Sequence, residues 1–184
     1  MDFTEKKVRT LHEQQGVLLR VTLDEVELAN GRHSYREVAH HVGGVTVLPL
    51  DRDGSVCCVR QFRYPFGCEL LEVPAGKLEP GEDPALCAAR ELSEETGLTA
   101  GRLVDLGKMY PSPGFSDEVL HLYLALDLTQ GAAHPDENEL LATETHSLAE
   151  LADMVLSGEI VDAKTALAVL KTQAWLAGGK EAAQ

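Results

Sequence analysis

The sequence has no apolar run long enough to cross a bilayer, and its first residues, MDFTEKKVRT, lack the hydrophobic core of a signal peptide. A cytoplasmic location is the expectation that follows. Positive charge is scarce: 16 Lys and Arg stand against 30 Asp and Glu, for a net charge of −14. That balance argues against a general nucleic-acid or anionic-membrane binder, and no RNA-binding element offsets it. Phosphorylated small molecules stay open as substrates, provided a bound metal neutralises the site locally. The four cysteines, Cys57, Cys58, Cys68 and Cys87, show no paired metal-ligand spacing and read as reduced, structural thiols. Cys57 and Cys58 are adjacent in a strand-like run and should point to opposite faces. Histidines are scattered, and the His40-His41 pair suits strand packing or surface exposure. Internal repeats and low-complexity linkers are absent. What is left, 184 residues with 44% hydrophobic and 25% charged content, fits one soluble domain with a sizeable core.

Against that background one stretch stands apart, Gly76 to Leu98, GKLEPGEDPALCAARELSEETGL. It opens with a glycine-rich loop and continues as a helix. Asp83 is the expected N-cap, Pro84 suits the first helical position, and Gly97 marks the stop. Ala85, Ala88, Ala89, Leu92 and Thr96 recur at helical spacing as a buried face. Glu91, Glu94 and Glu95 share another face at i, i+3 and i+4. Taken alone, a Glu-rich helix is a solvated surface. Yet three like charges on one face repel, and a hard divalent cation such as Mg²⁺ takes oxygen ligands of this kind and shares them with substrate phosphates.

The remaining chain reads mostly as strand. Residues 6–14, 17–28 and about 33–41 alternate, with an Asn30-Gly31 turn between the last two. In the second, Val17, Leu19, Val21 and Leu23 fall on one face. Residues 45–50 and 55–63, joined by the turn Asp51-Arg52-Asp53-Gly54, suggest a central hairpin of a mixed sheet, and 69–73 form a short strand into Gly76. Residues 103–110 and 119–128 are strands flanking PSPGFSDE, whose two prolines, glycine and aromatic suit a shaped substrate lip. An acidic loop, His134-Pro135-Asp136-Glu137-Asn138-Glu139, precedes a last strand and helices at 148–156 and 162–177. The order predicts an α/β sandwich, with the acidic helix on one side of a mixed sheet and the C-terminal helices on the other. Arginines at the end of the 55–63 strand are surface charge in the plain reading and phosphate grips in the functional one.

Gly76, Glu82, Arg90, Glu91, Leu92, Glu94, Glu95, Gly97 and Leu98 match every fixed position of the Nudix box, so the chain resembles a Nudix hydrolase. From about 34 to 177 it is similar to the ADP-ribose pyrophosphatase branch, through Arg36-Glu37, VRQFRYP at 59–65, LLEVPAGKLEPGE at 70–82 and SPGFSDE at 112–118. The resemblance implies the Nudix fold, an α/β/α sandwich with a mixed central sheet preceded by N-terminal antiparallel strands. The implied division is an extension over 1–42, a hydrolase domain over 43–178 and a tail over 179–184. It implies Mg²⁺, with Mn²⁺ able to substitute, held by the Ala75 carbonyl, Glu91 and Glu95. Glu94 and Glu82 would be further ligands or neighbours of the ligands, and Arg90 would hold the glutamates in place. Glu137, or else Glu139, would take the proton of an attacking water. Arg36, Glu37, Arg63, Pro113, Gly114, Phe115 and Glu118 would contact substrate, with Arg60 the weaker arginine because its strand position turns it away from the Gln61 side.

The reaction implied is metal-dependent hydrolysis of the diphosphate of ADP-ribose or a related nucleoside diphosphate sugar, giving AMP and ribose 5-phosphate. The branch also implies a homodimer completed by exchange of the N-terminal strands. Two rivals remain: hydrolysis of another sugar nucleotide such as GDP-mannose or of a dinucleotide, and a non-catalytic module that senses ADP-ribose-like ligands.

Overall fold

The structure is a computed structural model, and it describes residues 1–134 and 140–179. Its elements run β1 (Glu5–Gln15), β2 (Arg20–Leu28), β3 (His33–His40), β4 (Gly44–Pro49), β5 (Ser55–Arg63), β6 (Cys68–Glu72), β7 (Ala75–Lys77), α1 (Pro84–Thr96), β8 (Leu98–Met109), β9 (Leu120–Gln130), β10 (Leu141–Ser147), α2 (Leu148–Ser157) and α3 (Ala163–Ala177). They fall into two units: Met1–Gly43 with Tyr110–Val119, and Gly44–Met109 with Leu120–Gln184. The loop after β8 therefore groups with the N-terminal strands.

In the first unit, β1, β2 and β3 form an antiparallel sheet in that order. Sequence alternation places Val17, Leu19, Val21 and Leu23 on one face, with Val26 and Leu28 after a phase shift. The structure instead buries Thr22, Asp24 and Val26, and leaves Val21 exposed. Asp24 tolerates burial because Lys7 lies 2.9 Å away and the Thr10 hydroxyl donates to it at 2.8 Å. The loop is strapped to the end of β3: Ala39 N–H donates to Phe115 at 2.7 Å and His41 N–H to the Asp117 carboxylate at 2.9 Å.

In the second unit, a four-stranded mixed sheet runs β7-β4-β9-β8, with β4 and β9 parallel. A three-stranded antiparallel sheet runs β10-β5-β6. Strand periodicity of two sorts the core onto two faces. Val45 and Val47 of β4, with Tyr123 and Ala125 of β9, pack on Cys87, Ala88 and Leu92 of α1. Leu48 and Leu50, with Leu122, Leu124 and Leu126, pack against Leu148, Leu151, Ala168 and Val169 of α2 and α3. Covered on both faces, β4 is buried throughout, which is why VTVLP reads as a continuous apolar run. Emptying one fully buried leucine here, as in Leu124→Ala, costs roughly 2–5 kcal/mol.

The hairpin expected from residues 45–50 and 55–63 does not form within one sheet. Both edges of β4 are taken, by β7 and by β9, so only a single bridge, Leu50 to Val56, joins it to β5. The opposed orientation of Cys57 and Cys58 is seen: Cys58 lies in the α2/α3 core and Cys57 packs on the α1 side. All four cysteines are free, and burial pushes the Cys58 and Cys87 thiols up to about 12, so both stay protonated and inert. Among the described residues, no helix is long and apolar enough to cross a membrane.

Candidate active site

Helix α1 starts and stops where its sequence says. Asp83 accepts from the backbone N–H groups of Ala85 at 2.9 Å and Leu86 at 3.3 Å, and Gly97 closes the helix in the left-handed region at φ 73°. No other residue fits at Gly97, since a Cβ there would sit 2.7 Å from the backbone of Gly131 and Ala133. The buried face differs from the expected one. Cys87, Ala88, Glu91, Leu92, Glu95 and Thr96 point inward, while Ala89 is exposed and Ala85 half-buried. The arc has turned toward Glu91 and Glu95, which are only 8% and 3% exposed. The glutamate face is therefore not a solvated face.

Arg90 answers the repulsion. Its Nε and Nη2 donate to the two Glu82 oxygens at 2.9 and 3.0 Å, and its Nη1 donates to Glu91 at 2.8 Å and Glu94 at 3.0 Å. Charge-assisted, forked contacts of this kind are the strong class. The Glu82 carboxyl is drawn down to about 2, chiefly by Arg90 and then by the Glu79 backbone N–H, while Arg90 itself is pushed up. The strand before the helix closes the other side. Residues 75–77, expected as loop, pair with β4 as β7, and Ala75 N–H donates to Glu95 at 3.2 Å. Gly76 lies against Glu91 so closely that an added Cβ would meet its carboxylate at 1.8–2.2 Å.

Arg63, at the end of β5, belongs to the same region, since the Glu95 charge is among the causes that raise its pKa. Its Nε and Nη2 donate to Glu72 at 2.7 and 2.6 Å. Arg60 goes elsewhere. It forks onto Glu144 of β10, whose carboxyl is thereby drawn down to about 2, and it lines a hollow with Met154 and Glu159.

The donors fit a hard divalent cation in kind: carboxylates on one helix face, two of them buried. Among the described residues, however, no three Asp, Glu, His or Cys side chains converge as a ready-made metal cage. Glu91 and Glu94 are turned to Arg90 instead, so a cation has to draw carboxylate oxygens away from that arginine.

A family model, that of the NUDIX domain, matches residues 40–167. The chain belongs to the Nudix family. It is 42% identical over 156 residues to an ADP-ribose pyrophosphatase of Bacillus subtilis (strain 168), covering 84% of each chain. It is 39% identical over 169 residues to a methanol dehydrogenase activator of Bacillus methanolicus, covering 91% of each. A solved structure described as an ADP compounds hydrolase matches with a TM-score of 0.80 at 24% identity, over 96% of this chain and 98% of that one, which speaks to fold. Nudix enzymes characteristically use a divalent metal, and the oxygen-rich box face agrees with that.

The other residues expected at the Nudix site fall as follows. In the N-terminal unit, Arg36 is bound to Glu5, with Nε to carboxylate at 2.9 Å, and to the Tyr35 carbonyl at 2.7 Å. Glu37 is exposed on the opposite face of β3. Pro113, Gly114 and Phe115 are exposed in the loop, and Glu118 lies 3.4 Å from the His41 ring. Glu137 and Glu139 lie outside the described residues. His134, just before them, donates its N–H to the Glu94 carbonyl at 3.0 Å. Two charged residues that the sequence reading passed over, Glu72 and Lys164, join Arg63. The available signal was a lone glutamate in the apolar run LLEVP.

Proposed function

We propose that this Nudix hydrolase cleaves the diphosphate bond of ADP-ribose or a closely related nucleoside diphosphate sugar, giving AMP and ribose 5-phosphate. The observation that carries the reading is the likeness to the Bacillus subtilis ADP-ribose pyrophosphatase over most of both chains, with every acidic position of the box present. Glu91, Glu95, Glu94, Glu82 and the Ala75 carbonyl would hold Mg²⁺, or Mn²⁺ in its place. Such an ion, when bound, neutralises charge on the phosphate oxygens and lowers the pKa of a water. Arg90 keeps the glutamates gathered before the ion arrives. Arg63 grips a phosphate. Arg36, Glu37, Pro113, Gly114, Phe115 and Glu118 contact the rest of the substrate. Glu137 takes the proton from the attacking water, with Glu139 the alternative. The bond from the His134 N–H to the Glu94 carbonyl supports this, because it ties the residue just before that stretch to the box helix.

A panel of ADP-ribose, GDP-mannose and a dinucleotide polyphosphate with Mg²⁺, read by product identity, tests the reading. ADP-ribose should be turned over with the highest kcat/KM, and a flat profile or a preference for GDP-mannose would sink it. The likeness to the methanol dehydrogenase activator favours a second reading, in which the chain regulates a partner enzyme. Binding of ADP-ribose with no metal-dependent turnover would select that one.

A homodimer built on the N-terminal strands belongs to the same proposal. Val8, Leu11, Val21 and Tyr35 of that sheet are exposed apolar side chains, which a second copy would cover. Sedimentation should give a dimer, and a fully active monomer would remove the idea.

A further inference from the structure

Glu72 is the most deeply buried carboxylate among the described residues, with 0% exposure. A charge so placed is costly unless its partners are well aligned. Two cations meet it: Arg63, from the strand paired with its own, and Lys164 at 2.5 Å, from the first turn of α3. Lys164 is also 2.9 Å from Asp162, the N-cap of α3. Thr165 completes the set. Its hydroxyl donates to Asp162 at 2.6 Å and accepts the Val73 backbone N–H at 3.1 Å. The start of α3 is thus stitched to the backbone between Glu72 and β7.

This arrangement does more than neutralise one carboxylate, for which Lys164 alone would serve. Glu72 takes the Nε and Nη2 edge of Arg63 and leaves Nη1 unused by it. The Arg63 side chain stays 36% exposed while Glu72 is at 1%, so the arginine is gripped from behind and reachable from outside. Fixing a flexible cation before substrate arrives removes the entropy cost of ordering it on binding.

We propose that Glu72 and Lys164 are positioning residues of the diphosphate site. Glu72 locks the Arg63 fork in one orientation, Lys164 holds Glu72 in place, and Arg63 offers its remaining N–H edge to a substrate phosphate. The proposal rests on the reading of Arg63 as a phosphate contact.

A double-mutant cycle tests it. Lys164→Met, Glu72→Gln and Arg63→Ala are made singly, and the first two also in the Arg63→Ala background. Readouts are kcat and KM for ADP-ribose with Mg²⁺, the Kd for ADP-ribose in EDTA, and Tm. Lys164→Met and Glu72→Gln should each raise KM and Kd about tenfold in the parent, a typical loss for a supporting partner. In the Arg63→Ala background each should change them less than about twofold, because the residue they act through is gone. Undiminished effects in that background would overturn the positioning role. Unchanged KM and Kd in Arg63→Ala alone would instead overturn the reading of Arg63. If Glu72→Gln fails to fold, the Lys164→Met arm decides by itself, and Lys164→Arg should restore KM. A Lys164→Met enzyme that loses Tm but keeps KM and Kd would make Lys164 merely structural.

Discussion

Two clusters in the C-terminal unit each gather glutamates around an arginine, and they differ in burial. Around Arg90 stand Glu82, Glu91 and Glu94, with Glu95 beside them. Arg60 Nε meets the Glu144 carboxylate, and His146 lies 3.3 Å from both Glu144 and Glu150. The Arg60 group lies between β5, β10 and α2, where arginine and Glu144 are each about a third exposed (35% and 33%) and water screens them. The Arg90 group is backed by β7 and sinks two carboxylates to 8% and 3% exposure, where charge is costly and therefore poised for a cation. An arginine set among glutamates does not by itself distinguish the two. Burial and the close approach of backbone do.

The comparison breaks most sharply at Glu95. Glu95→Gln should cut kcat with Mg²⁺ by more than about 100-fold, beyond the usual loss for a supporting partner, while Tm moves little. Turnover within tenfold of the parent would mean that this face is not the metal site. Gly76→Ala comes next. The new methyl must displace the Glu91 carboxylate, the movable end of a side chain, so function should suffer more than folding. The expectation is a loss of about 10–100-fold in kcat/KM with an unchanged circular dichroism spectrum; an unaffected kcat/KM would show that Glu91 does not need this wall. The smallest effect belongs to the other cluster. Glu144→Gln should leave kcat/KM within about twofold, in the range of exposed ion pairs.

That variant also carries a pH signature. Glu144 has its folded pKa lowered to about 2 from 4.5, mainly by Arg60 and then His146. A depressed carboxylate contributes stability that is complete above its unfolded value and is lost as pH falls through the folded one. The stability gap between parent and Glu144→Gln should therefore close as pH falls between about 4.5 and 2. Denaturant titrations across that window would show it, and a gap that widened on acidification would contradict the assignment.

Much of α1 was legible because its signals are local. The cap at Asp83, the stop at Gly97 and the i, i+3, i+4 spacing of the glutamates all act within a few residues. The rotation of the helix was less so, since an alanine-rich face gives weak contrast and Cys87 displaced Ala89 from the interior. The β4–β5 hairpin was misjudged because adjacency in sequence does not decide which strand takes an edge, and β9 and β7 compete for both edges of β4. Arg60 and Arg63 look alike in VRQFR, yet one meets Glu144 and the other Glu72. The Lys164 contact was out of reach, spanning 92 residues.

By itself, then, the sequence determined the chemistry: an acidic, oxygen-donor helix, bounded by its own caps, at the spacing of the Nudix box. Those features are set by helical period and by residue type, which need no distant partner. Only the tertiary structure decided which charges are buried, which arginine is gripped by which glutamate, and which strands share a sheet. Each of these depends on competition among segments far apart in the chain, resolved by the desolvation of charge and the packing of apolar faces.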